Sequence, residues 1–182
     1  MIRPVRLLTL LLPAVLLLGC TGGDDEPAPA APTIDTAAVQ QALVGLWVGD
    51  DVTAEATQAG ECFAAALTDS ATPDELRDAG LLDESYAVPP VLPPLGREGA
   101  ELWVDAQFKC VDFVSESARA QVAATKGKVD ATAYETCLRK ALTEDQLYEA
   151  AVQSVMGDFG GDAVAAFSQA QLDCVQQALP PD

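Results

Sequence analysis

Histidine is absent from the 182 residues. Its absence removes the commonest general base near neutral pH, and with it Ser-His and Cys-His nucleophile pairs and His-ligated zinc. Basic residues are scarce, ten against 28 acidic ones, for a formal charge of −18. A field of that sign repels phosphate backbones and anionic headgroups, which argues against nucleic acid as a partner and against electrostatic docking on a membrane. Its simplest consequence is solubility outside the cell. The cysteines form no CxxC pair, so neither a zinc cluster nor a redox dithiol is expected. No segment sustains the apolar-polar alternation or β-branched richness of a strand, so no sheet is expected. The longest apolar run, residues 7–18, falls short of the roughly 20 residues of a membrane-spanning helix.

Chemistry-bearing motifs are equally sparse. Gly157, Gly160 and Gly161 lie in GDFGGD (157–162), but no strand precedes them and no Lys-Ser/Thr follows, so this is no phosphate cradle. Asp158 and Asp162 lack the twelve-residue calcium-loop pattern, and a helix-capping turn is the plainer reading. No serine stands in a nucleophile elbow. Acidic pairs such as Asp50-Asp51 and Glu144-Asp145 read as loop and helix-start residues, because negative charge is favourable at helix N-termini. No catalytic residue, metal or cofactor is expected. Carboxylate catalysis would need two acids converging in a cleft with shifted pKa values.

What the chain does have begins with its first twenty residues. Arg3 and Arg6 precede the apolar run 7–18, the order of charged and apolar regions in a secretory signal peptide. Leu17-Leu18-Gly19-Cys20 follows. It resembles the bacterial lipobox, with Leu18 at a position where smaller residues are commoner. The resemblance implies cleavage after residue 19, a diacylglyceryl thioether on Cys20, and anchoring at the outer face of a cell membrane without a transmembrane helix. Without the two leader arginines the mature chain keeps eight basic and 28 acidic residues, a charge of −20. Residues 20–35 are rich in Gly, Pro, Ala and acid and read as a flexible tether.

Residues 36–182 are alanine-rich and read as an all-α domain, a small helical bundle. After a short helix over about 36–47, the segment repeats itself. ATQAGECFAAALTD (56–69) lies over ATAYETCLRKALTE (131–144), DELRDA (74–79) over DQLYEA (145–150), and AQFKCV (106–111) over AQLDCV (170–175), in one order and with the gaps in loops. Two duplicated three-helix units are therefore expected, at about 52–125 and 128–180. In the first, Ala59, Cys62, Phe63, Ala66 and Leu67 form one helical stripe. Thr72 to Glu75 opens a second helix with a capping box, and Thr143 and Gln146 repeat that relation. A third helix runs over about 99–125 and stops at Gly127; its counterpart runs from near Asp162 to before Pro180.

Setting Cys20 aside leaves four cysteines, one near the start and one near the end of each unit. Four cysteines permit three connectivities, and sequence alone does not choose. Duplication favours pairing within units, Cys62 with Cys110 and Cys137 with Cys174, in the oxidising exterior that the leader implies. The pattern over residues 54–178 resembles small cysteine-paired helical lipoproteins and secreted proteins of actinobacteria. That resemblance implies fold and compartment but no activity.

Two kinds of contact surface remain. The insertion 86–95, YAVPPVLPPL, is stiffened by four prolines and offers Tyr86, Val91 and Leu92 to a partner or to the core beneath. Trp47 and Trp103 read as core or core-edge. The expectation is a non-enzymatic binding or accessory module, held to the membrane by lipid on Cys20, with an envelope protein or the cell wall as partner. The alternative is a small-molecule carrier or sensor with an apolar pocket between the two halves, lined by Phe63, Trp103, Phe108 or Phe167.

Overall fold

A computed structural model describes residues 34–50 and 52–180. Within them lie eight helices and no strand: α1 (Thr36–Val48), α2 (Ala54–Ser70), α3 (Pro73–Asp78), α4 (Arg97–Cys110), α5 (Phe113–Ala124), α6 (Ala131–Ala141), α7 (Glu144–Val155) and α8 (Asp162–Ala178). The all-α expectation holds. The leader, Cys20 and most of the tether lie outside the described residues.

Local chemistry sets the starts. The side chains of Asp35, Thr53, Asp112 and Asp130 accept backbone N–H bonds at the heads of α1, α2, α5 and α6. Thr72 and Thr143 each form a full capping box, with Glu75 and Gln146 reaching back to the capping residue's N–H. Gly161 heads α8 with no side chain of its own to offer, and Gln153 Oε1 accepts from Val164 N at 3.3 Å instead.

The expected helix over about 99–125 is two helices. Val111 is extended (φ −136°, ψ 145°), and Asp112 then caps a new helix by accepting from Val114 N and Ser115 N, both at 3.0 Å. The cap satisfies donors that a continuous helix would have satisfied with carbonyls, so the turn costs little. The first unit, taken as 52–125, thus holds four helices rather than three. Gly127 (φ 79°) lies beyond the end of α5, past Thr125.

Packing runs in series. α1 lies on α2, α2 on α4, α4 on α7, α7 on α8, α8 on α6, and α6 on α5. The α4–α7 contact joins the halves. Two apolar cores result. One gathers Leu43, Phe63, Leu67, Leu76 and Val104 with Val152 of α7; the other gathers Val114, Tyr134, Leu138, Leu147 and Cys174. Phe108 and Phe113 pack against both. Fully buried Phe63 lies between Trp47 and Trp103, at centroid distances of 4.7 and 4.5 Å. Burying a ring of that size contributes about 1.5–3 kcal/mol. The second core contains a polar knot. The Tyr134 and Ser117 hydroxyls lie 2.9 Å apart, and Gln171 Nε2 donates to Ser117 Oγ at 3.0 Å, so no buried polar atom there is stranded.

Disulfides join Cys62 to Cys110 and Cys137 to Cys174. The first ties α2 to α4 and the second α6 to α8, the pairing that duplication favoured.

Candidate functional site

The three insertion residues do not form one surface. Tyr86 is half-buried and held down: its hydroxyl donates to Asp74 Oδ1 at 2.6 Å and accepts from Arg77, whose guanidinium also lies over the ring. This clasp holds Tyr86 at φ 63°, a left-handed backbone that a bulky residue adopts only under tertiary constraint. Leu92 packs against the first core, and Val91 alone of the three stands out, at 77% exposure. The insertion therefore serves mainly as a cover, closed at its far end by Leu95 N donating to Val155 O at 3.3 Å.

The residues proposed to line an apolar pocket between the halves pack on other rings. Phe63 is sandwiched by the two tryptophans. Phe167 meets Phe113 at 5.4 Å. In the GDFGGD turn, Phe159 is 73% exposed. Among the described residues no group of three His, Cys, Asp or Glu side chains is placed to hold a metal ion.

Phe108 does line a groove, of about 370 Å³, where the α4–α5 corner faces the α6–α7 corner. Phe108, Phe113 and Tyr148 supply its aromatic surface. Phe108 and Phe113 are stacked at 5.4 Å, and Tyr148 stands edge-on to Phe108 at 5.8 Å. Asp112, Arg139, Glu144 and Asp145 supply the polar surface. Arg139 Nη2 donates to Asp112 Oδ2 at 2.7 Å while Asp112 Oδ1 caps α5, so that carboxylate is fully engaged. Partial burial pushes the Asp112 pKa up, but the N–H groups of Ser115 and Val114 together with Arg139 outweigh it, and the net shift is downward. Glu144 and Asp145 open α7 and make no hydrogen bond or ion pair with a described side chain. The Tyr148 hydroxyl donates to Asp105 Oδ1 at 3.0 Å. Burial first, and that bond second, push its pKa up to about 12, so it is a neutral donor at physiological pH.

Comparison with protein-family models, curated proteins and solved structures found no match.

The groove's carboxylates are spent on capping or stand at an exposed helix start, and no nucleophile lies beside a base. Sequence reading singled out Phe108 but missed Phe113, Tyr148 and Arg139. The available signal was Arg139-Lys140, two adjacent cations in a strongly acidic chain.

Proposed function

We propose that this chain is an extracytoplasmic lipoprotein, anchored through lipid on Cys20 and acting as a non-enzymatic binding or accessory module of the cell envelope. The observation that carries the reading is the cysteine pattern. Both described pairs are disulfide-bonded, a state that persists in oxidising compartments. The odd cysteine is Cys20, at the end of the apolar leader. We also read the domain as a duplication. Matching capping boxes at Thr72 and Thr143, and matching α2–α4 and α6–α8 disulfides, support it. The packing of Phe63 and Phe167 on neighbouring rings speaks against a closed apolar chamber between the halves, while Phe108 lines an open groove there.

The test is expression of the whole chain with its leader in a bacterium, membrane fractionation, and mass spectrometry of the N-terminal peptide. Wild type is expected in the membrane fraction, beginning at Cys20 with a diacylglyceryl adduct. Cys20→Ala is expected to lose the adduct and the membrane association. An unmodified Cys20 in a soluble wild-type protein refutes the anchor.

A further inference from the structure

We infer that the groove between the α4–α5 and α6–α7 corners binds an organic monocation with a flat apolar body, the body lying on Phe108, Phe113 and Tyr148 and the charge facing Glu144 and Asp145. The inference goes beyond the accessory-module reading by giving the same domain a small-molecule ligand, and it is independent of the lipid anchor.

Three observations carry it. The first is shape and size. About 370 Å³ lies in the range of small-molecule sites, and the aromatic side is built of two ring orientations, a stacked pair and a ring set edge-on. A flat apolar body gains by burying itself against such rings.

The second is charge. Asp112, Glu144 and Asp145 against Arg139 leave a formal charge of −2 on the lining. Helices α5 and α7 begin there, and each N-terminus brings about half a positive charge. The balance is about −1, which one positive charge neutralises. The division of labour matters as much as the sum. Asp112 is occupied by Arg139 and by the α5 cap, whereas the carboxylates of Glu144 and Asp145 are not engaged by described side chains.

The third is contrast within the molecule. The start of α1 meets the α2–α3 corner much as the start of α5 meets the α6–α7 corner. That first corner is closed by Ile34, Val39, Pro73, Leu76 and Leu82, and leaves only about 40 Å³. The fold therefore needs no opening at such a corner. Where α5 starts the opening is present, and rings and charged side chains join the aliphatic Val111, Val114 and Leu147 in its lining.

The test is calorimetric titration of the full chain, purified in a neutral detergent, with benzyltrimethylammonium. Benzyl alcohol and phenylmethanesulfonate serve as the neutral and anionic probes of similar body. The cation is expected to bind saturably at one site per chain, and the other two probes not to. Glu144→Gln with Asp145→Asn is expected to weaken binding about five- to tenfold. Arg139→Gln, which releases the Asp112 carboxylate, is expected to tighten it. Glu61→Gln with Asp69→Asn, exposed acids on α2 away from the groove, is expected to leave it unchanged. Circular dichroism and intact disulfides confirm that each variant is folded. Non-saturable binding, equal binding of the sulfonate, or equal weakening by the α2 pair overturns the inference. A failed titration on protein with acylated Cys20 refutes only this site. Binding by a chain with unmodified Cys20 refutes only the anchor.

Discussion

Gly99 and Gly45 both lie within helices, and substitution by alanine has opposite consequences at the two. A Cβ on Gly99 would stand 2.3 Å from the carbonyl oxygen of Ala79, where the end of α3 presses on α4. Backbone cannot swing aside as a side chain can, so the helices must separate. Gly99→Ala is expected to destabilise by about 1–3 kcal/mol, as overpacking does. A Cβ on Gly45 meets nothing within 4 Å, and the residue is exposed in the last turns of α1. Gly45→Ala is therefore expected to stabilise by about 0.5–1 kcal/mol through helix propensity and a less flexible unfolded chain. Urea titration of both variants checks the pair, and a shared sign would contradict the close α3–α4 approach.

At the scale of elements the two disulfides divide the work of fastening the helices. They join residues 48 and 37 apart in sequence, and the chain-entropy model gives each a contribution of about 4 kcal/mol. Their accessibility differs. Cys62 is exposed, whereas Cys174 is fully buried in the second core. Under a mild thiol reductant the Cys62–Cys110 bond is expected to open first, freeing α4 from α2 while α6 and α8 stay joined. Timed alkylation followed by peptide mass spectrometry reads the order directly, and prior reduction of Cys137–Cys174 would refute it. The helix starts were largely legible in the sequence, because a cap needs only residues a few positions apart: Thr72 with Glu75 and Thr143 with Gln146 needed no tertiary information. The break at Val111 was not legible. Lys109 to Val114 keeps enough apolar spacing to continue a helix, and Asp112 becomes a cap only when the chain turns there to meet α6. The groove was illegible for the same reason. Phe108, Phe113, Tyr148 and Arg139 come from four helices and meet only after that turn. Tyr86 was visible as an aromatic in a stiff insertion, but its bonds to Asp74 and Arg77, twelve and nine residues away, depend on how the loop folds back.

For the whole molecule, composition and electrostatics fix how stability responds to pH. No histidine is present and four of the five cysteines are in disulfides, so with Cys20 acylated no side chain of ordinary pKa titrates between about 5.5 and 8.5. The acid limb comes from carboxylates held below their usual values. Glu75 is lowered by the backbone and then the hydroxyl of Thr72, Asp83 chiefly by the Ser85 hydroxyl, and Glu149 chiefly by its hydrogen bond from Arg97. A carboxylate depressed in the folded state stabilises fully above its unfolded pKa, about 4, and loses that contribution as the pH falls through the folded value. The alkaline limb has the opposite sign. Tyr148 is raised to about 12 by burial and by its bond to Asp105, so its contribution is complete below the unfolded value of about 10 and is lost as the pH climbs toward 12. Ionisation there sets a phenolate against the Asp105 carboxylate and breaks the bond between them. Thermal melts followed by circular dichroism are expected to give a plateau from about pH 5.5 to 9, a fall below about 4, and a second fall between about 10 and 12. Tyr148→Phe should soften the alkaline fall and leave the acid one in place. A slope between pH 6 and 8 would mean that a carboxylate or the terminal amine is far more perturbed than the packing around Glu75, Asp83, Asp112 and Glu149 allows.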